Sequence, residues 1–379
     1  MMHWIFWFSL VALAYTYLGY PCMLGLLARR RQSPIRRDRL SLPVVSVIIA
    51  ANNEEERISD RIKNCLSLDY PRHCLEVIII SDGSTDSTNE ILRQYEDGVI
   101  RPVVLPQRVG KAIALNRGVE TAKGEILVFA DARQSFAPDA IRELVANFAD
   151  PQIGAVSGEL VLSGPDCPPS GYTAGLYWHY EKWIRKAESR VDSVVGATGA
   201  IYAIRKKLFV PLPAGTILDD VMIPMRIVMA GHRVVFEKRA VAYDLPASSI
   251  EQEFQRKVRT LTGNFQILQF MPELLSPFRN RLFVQYFSHK VTRILAPYWL
   301  LSLFVSSLVL GTGVYGVALW AQVAGYTLAL TGWLLRRTAF RVPLASIALT
   351  FVMMHYAAFL GLVYFFKARQ RPVDVWVRN

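Results

Sequence analysis

Three stretches of this chain carry almost no charge: Trp4 to Leu27, Ile294 to Leu335 and Val342 to Phe366. A helix that crosses a bilayer needs ~20 mainly apolar residues, and each stretch reaches that length. The first lacks the basic start and the small-residue cleavage site of a signal peptide. It is followed by Arg29-Arg30-Arg31, so it reads as a retained anchor. The net charge of +12 would on its own raise nucleic acid as a partner. Its placement argues against that. Arg29 to Arg39, Arg336 to Arg341 and Lys367 to Arg371 flank the apolar segments, as the positive-inside bias places basic residues. The expected partner is therefore the lipid bilayer, with no nucleic acid. The four cysteines show no CxxC spacing and no histidine at zinc spacing, which fits reduced structural thiols.

Between the first apolar stretch and the others lies a long segment of different character. Val44 to Ala50 is an uncharged, β-branched run suited to a strand buried on both faces. Glu54 to Leu68 places Ile58, Ile62, Cys65 and Leu66 at helical spacing, and Leu75 to Ile80 is a second buried run that stops at Ser81-Asp82-Gly83. Strand, helix and parallel strand bring both strand ends to one sheet edge, where open α/β sheets bind ligands. Asn52, Asn53, Glu54 and Asp82 are expected at that edge. After it, Ser87 and Glu90 have capping-box spacing, with Asp86 as the other candidate cap.

Further along, Val99 to Leu105 reads as a strand and Gly110 to Ala122 as a helix, with Gly110-Lys111 at its start. Backbone amides there, beside an ammonium, suit a phosphate. Glu125 to Ala130 reads as a strand ending in Asp131-Ala132-Arg133. Asp131 suits either a divalent cation or a turn. Helix over Pro138 to Phe148, an extended run over Ile153 to Leu162, a loop over Ser163 to Gly171 and an amphipathic helix over Tyr172 to Arg190 follow. Thr198 to Ile204 is expected as a strand, Asp219-Asp220 as the start of a helix running to Gly231, and Arg233 to Tyr243 as a strand pair. Gln252 to Leu268 is expected as a helix bearing Arg256 and Arg259. Ser276 to Arg293 mixes basic and aromatic residues as a helix lying in a membrane surface does. Gly311, Gly313 and Gly316 match GxGxxG, but no strand precedes them, and a tight turn between apolar helices is expected instead.

From Val44 to Gln266 these residues resemble the family 2 glycosyltransferases, in particular the membrane-embedded branch with cellulose, chitin and hyaluronan synthases. Ser46 to Glu55 looks like the opening strand motif, with Ala50 and Asn52 where the family has Pro and Tyr. Ser81-Asp82-Gly-Ser resembles its Asp-Asp-Gly-Ser segment, and Gly110-Lys111-Ala-Ile-Ala-Leu-Asn116 its helix start near the donor. Asp131-Ala132-Arg133 stands where the family has a metal-binding Asp-x-Asp, with one carboxylate kept. Asp219-Asp220 matches the catalytic-base motif. Arg256-Lys-Val-Arg259-Thr260 stands where processive members have Gln-x-x-Arg-Trp.

The resemblance implies an α/β fold of the GT-A type, with a mixed, mostly parallel sheet and added transmembrane helices. It implies an anchor and basic linker over residues 1–40, a cytosolic catalytic domain over 41–275, and an interfacial helix with further membrane helices over 276–379. The implied protein is a multi-pass enzyme of the cell (inner) membrane with its catalytic domain in the cytoplasm. It would be an inverting transferase that moves a sugar from a nucleotide-sugar, a UDP-sugar by analogy, to a polysaccharide or lipid-linked acceptor. Asp220 would be the base. Ala50, Asn52, Glu54, Asp82, Lys111, Asp131, Arg256 and Arg259 would bind the donor. Asp131 would hold Mg²⁺ or Mn²⁺, and Asp219, Thr260 and Gly199 would lie on the acceptor side.

Three plainer readings stand beside these. Asp219-Asp220 suits the start of a helix, Arg256 and Arg259 suit a solvated basic face, and Tyr177, Trp178 and Trp183 suit either a saccharide groove or a buried stripe. The competing class is a non-catalytic nucleotide-binding scaffold in an export complex, which Arg133 keeps in play. A pure transporter is disfavoured, because the apolar stretches carry few ionisable residues.

Overall fold

The computed structural model describes residues 1–31, 33–95, 98–162, 172–246, 249–336 and 342–370, with side chains omitted over 172–178 and 368–370. The expected loop at Ser163 to Gly171 lies outside the described residues, as do most of the basic flank at Arg336 to Arg341 and the side chains of Tyr177 and Trp178. The chain packs as two compact units. One comprises residues 31–167 and 188–246; the other comprises 1–30, 168–187 and 247–379.

The first unit is built on one eight-stranded sheet of order β3-β2-β1-β4-β7-β6-β8-β5. Its strands are β1 (Val45–Ala51), β2 (Leu75–Asp82), β3 (Ile100–Leu105), β4 (Ile126–Asp131), β5 (Ser135–Phe136), β6 (Ile153–Leu162), β7 (Tyr202–Arg205) and β8 (Arg233–Asp244). β3, β2, β1 and β4 run parallel, β7 is antiparallel to β4 and β6, and β8 is parallel to β6. The sheet is therefore mixed and mostly parallel, as a GT-A-like fold requires. The runs Val47, Ile49, Val77, Ile79 and Val128 are fully buried. Each such side chain contributes roughly 1.5–3 kcal/mol by leaving water.

Register brings the strand ends level, with Ala50 opposite both Ile80 and Asp131. Behind that edge the helix Lys111–Thr121 lies close on the sheet. It can do so because Gly118 has no side chain: a Cβ there would stand 2.7 Å from Ile48 and Ile80. At the opposite end, the Glu76 carboxylate accepts from Ser46, the Lys123 amide and Arg101. Burial alone would raise its pKa; those hydrogen bonds outweigh burial and hold it below the ordinary value.

Several local expectations need correction. Arg233 to Tyr243 is one long strand rather than a pair, because β6 accompanies it on one side through two register shifts. β7 starts only at Tyr202, since Thr198 to Ile201 closes an isolated bridge. Ser87 makes no side-chain cap; Asp86 accepts from Thr88 N at 3.0 Å instead. The basic linker is partly ordered: Arg37 bridges Glu143 at 2.8 Å and Glu237 at 2.9 Å, and Arg39 also pairs with Glu143.

The second unit is helical. Met2–Arg30, Phe283–Leu310, Gly313–Leu335 and Pro343–Lys367 are long and apolar enough to cross a membrane. Gly311, in the left-handed region at φ 64°, closes the expected turn between the second and third. Ser276 to Arg293 is not one interfacial helix. Its first part is turns, and from Phe283 it continues through a π-helical turn into the span ending at Leu310. Glu181 is paired there with His289 at 3.2 Å and with Arg293. The helix Ile250–Phe270 belongs to this unit, with Phe254 stacked on Tyr356 at 5.7 Å, so the division falls before the expected boundary at residue 275.

Candidate functional site

The C-terminal edge of β2, β1 and β4 carries a connected set of polar side chains. Asp82, at the tip of β2, is buried and accepts from Val109 N at 2.7 Å on one oxygen and Gly110 N at 2.9 Å on the other. Gly83 at φ 61° allows this close approach, since a Cβ there would stand 2.3 Å from Arg108 N. Asn52 donates to the Asp82 carbonyl at 2.6 Å. Asn53 takes the left-handed conformation at φ 56° and accepts from Thr85 N at 2.8 Å. Asn52 and Asp82 thus knit the strand tips to the loop before residue 111, and the amides of Val109 and Gly110 are already engaged by a carboxylate rather than waiting for a phosphate.

That loop delivers Lys111, the first residue of its helix. Its ammonium pairs with Asp131 Oδ1 at 2.9 Å and with Asp219 Oδ1 at 3.0 Å. Burial disfavours the charged ammonium, but Asp131, Asp219 and Asp220 together outweigh it and hold the lysine pKa above the ordinary value. Asp219 opens the helix Asp219–Met229 and is buried. Its second oxygen accepts from the buried Tyr202 hydroxyl at 2.9 Å. Burial first, and then Asp219, raises the Tyr202 pKa well above its usual value, so the phenol stays a donor. Asp219 is therefore held on both oxygens.

Asp220, the next residue, is half-buried, and its carbonyl accepts from Ala197 N at 2.7 Å. Gly199 lies against its carboxylate: a Cβ at Gly199 would stand 3.0 Å from Asp220 Oδ2. Glu54 completes the edge. Burial raises its carboxyl pKa; Arg57 and Arg133 oppose the rise, and Asp131 adds to it. Arg133 pairs with Asp244 Oδ2 at 3.0 Å, and the same oxygen accepts from Gln134 Nε2 at 2.9 Å.

Of the residues expected from sequence, Ala50, Asn52, Glu54, Asp82, Lys111, Asp131, Gly199, Asp219 and Asp220 belong to the sheet unit and Lys111 links several of them. Arg256, Arg259 and Thr260 belong to the other unit, on the helix Ile250–Phe270, where Thr260 Oγ1 donates to the Arg256 carbonyl at 2.9 Å. Trp183 packs its ring 3.3 Å from the Cβ position of Gly25 in the first span. Tyr202 and Asp244 were not expected. Asp244 had a legible signal, a carboxylate at the end of an apolar-rich strand, like Asp82 and Asp131. Tyr202 had none, because its partner lies across a turn that only the fold closes.

Among the described residues no group of three or more His, Cys, Asp and Glu is placed to hold a metal. The set that is present, one partly exposed carboxylate at Asp131, does not make a cage. It fits a divalent ion of the Mg²⁺ type that arrives on phosphates and takes only one or two protein carboxylates.

Residues 46–210 match the profile described as glycosyl transferase family 2. The chain carries a family 2 glycosyltransferase domain. Curated relatives include the poly-beta-1,6-N-acetyl-D-glucosamine synthases of Staphylococcus aureus strain COL and of Staphylococcus epidermidis. The first is 26% identical over 247 residues, covering 64% of this chain and 59% of the relative. The second is 25% identical over 239 residues, covering 62% and 58%. The alignment thus spans under two thirds of those relatives' length. Among solved structures, the mannosyltransferase PcManGT from Pyrobaculum calidifontis, in complex with GDP-Man and Mn²⁺, superposes with a TM-score of 0.73 at 22% identity, covering 97% of this chain and 99% of the other. That likeness places the family 2 domain in the GT-A-like fold.

Proposed function

We propose that this chain is a membrane-bound, inverting glycosyltransferase that moves a sugar from a nucleotide-sugar to a hydroxyl of a polysaccharide or a lipid-linked acceptor. One observation carries the reading: Lys111 joins Asp131 to Asp219, with Asp220 beside them, at the C-terminal edge of the parallel strands. Displacing a diphosphate from an anomeric carbon needs a base for the incoming hydroxyl and relief of charge on the leaving group. Asp220 suits the base. Asp219 does not, because Tyr202 and Lys111 occupy its two oxygens. Asp220 takes the acceptor proton, the acceptor oxygen bonds to the anomeric carbon from the face opposite the leaving group, and the nucleoside diphosphate departs. The Lys111 ammonium is the protein's charge for that departing diphosphate. Mg²⁺ or Mn²⁺ held by Asp131 would add to the same charge relief.

The relatives' names, which are those of polysaccharide synthases, support a saccharide acceptor, and the GDP-Man in PcManGT keeps a GDP-sugar in range beside the UDP-sugar that the family resemblance implies. The four apolar helices support residence in a membrane, and Arg29-Arg30-Arg31 after the first of them supports a cytoplasmic sheet unit. Asp220→Asn should lower transfer by about 10²- to 10⁴-fold in an assay with a panel of labelled nucleotide-sugars. Undiminished transfer by that variant removes Asp220 as base. Arg133 in place of a second carboxylate favours a second reading, a nucleotide-binding scaffold. A wild type that binds nucleotide-sugars yet transfers none of them to any acceptor, including water, would support it.

A further inference from the structure

We infer that Arg133 is a diphosphate-binding residue: its guanidinium, pinned at one end by Asp244, supplies part of the positive charge that a fully carboxylate-bound metal ion would bring to the nucleotide. This rests on the donor-site reading above and extends it to a residue whose sign is opposite to the one it replaces.

Arg133 lies two residues beyond Asp131, past the end of β4. Its recorded ion-pair partner among the described residues is Asp244, at 3.0 Å. A guanidinium has five N–H donors in a fixed fork. One contact to Asp244 leaves the others available, and the side chain keeps 33% of its surface exposed. Asp244 itself is buried and independently fixed: Gln134 donates to one oxygen and Leu245 N to the other, at 2.9 Å each. The arginine is thus tied at a defined place without being used up.

Two further facts direct it at the donor. Glu54, on the β1 side of the edge, lies within electrostatic reach of both Asp131 and Arg133. Lys111 is bound to Asp131 at 2.9 Å, and Arg133 follows that carboxylate two residues along the chain. An arginine fork matches phosphate oxygens two at a time, which an ammonium cannot do. A cation where a second metal-binding carboxylate would stand weakens the hold on a metal and strengthens the hold on a diphosphate.

The test uses the full-length protein in detergent and measures binding directly, by calorimetry, of UDP, GDP, UMP and GMP, with EDTA or with Mn²⁺. Wild type should bind a nucleoside diphosphate in EDTA. Arg133→Ala and Arg133→Gln should each lose about tenfold or more of that affinity, with the monophosphates much less affected, a pattern expected when a charge-assisted phosphate contact is removed. Arg133→Lys keeps a charge on Asp244 but not the fork, and should fall between. Arg133→Asp should make diphosphate binding depend steeply on Mn²⁺. Equal affinity of wild type, Arg133→Ala and Arg133→Gln for the diphosphate in EDTA would overturn the inference, as would wild-type binding that occurs only with Mn²⁺. Neither result touches the donor-site reading. Absence of any nucleoside diphosphate binding by wild type, with or without Mn²⁺, would instead end that reading and this inference with it.

Discussion

Two adjacent aspartates illustrate how burial separates residues that look alike in sequence. Asp219 is buried and saturated by Tyr202 and Lys111, while Asp220 is half-buried beside Gly199. Removing the Lys111 ammonium would leave Asp219 without its charge partner. Lys111→Met should therefore destabilise the protein toward the low end of the roughly 3–5 kcal/mol typical of breaking a buried pair, since Lys111 is partly exposed. Thermal unfolding would show it, and a melting temperature unchanged from wild type would refute it. Gly199→Ala tests the other aspartate. The added methyl would press on Asp220 Oδ2 at 3.0 Å and displace it by tenths of an ångström. Turnover should fall about tenfold with donor affinity unchanged, since small misplacements of a reacting group are costly. Loss of donor affinity with unchanged turnover would contradict that role. Asp82, Asp131 and the Asp219–Asp220 pair were legible because each interrupts or follows an uncharged run. What Asp82 does was not: two backbone amides from a loop 27 and 28 residues away take its oxygens, and no local pattern announces that.

At the level of elements, the buried strands declared themselves by composition, and β1, β2, β3 and β4 lie within a residue or two of their expected ends. β5 did not, since two residues paired to β8 carry no periodicity. The segment Ser276 to Arg293 misled because basic and aromatic residues at helical spacing describe a surface helix and the entrance to a span equally well. The contact between β1 and β2 carries a pH prediction. Glu76 has its pKa held low in the folded chain by hydrogen bonds from Ser46, Lys123 and Arg101 that overcome burial. Its contribution is present while the carboxyl is ionised in both states. It is lost as pH falls below the ordinary carboxylate range toward the lowered folded value. Melting temperature should drop in acid for wild type, and Glu76→Gln should start lower at neutral pH with a flatter acid limb. Parallel acid limbs for the two proteins would show that Glu76 is not the group responsible.

On the scale of the molecule, three uncharged stretches announced helices of membrane-spanning length, because lipid imposes a length that composition alone can meet, while the count of four helices came only with the fold. Alkaline carbonate washing should leave the full-length chain in the membrane pellet; release into the supernatant would count against spanning helices. The division into units was less legible, since Ile250–Phe270 is amphipathic and nothing local says which partner it takes. Within the sheet unit, the polar cluster lies across a seam. Lys111 and Asp131 come from the parallel half, whereas Tyr202 and Asp219 come from beyond the antiparallel junction of β4 with β7. A ligand gripped by both sides acts as a staple across that junction. Amide protons of Ile126–Asp131 and Tyr202–Arg205 should therefore exchange more slowly with solvent deuterium once nucleotide is bound, while those of the outer strand β3 keep their unliganded rate.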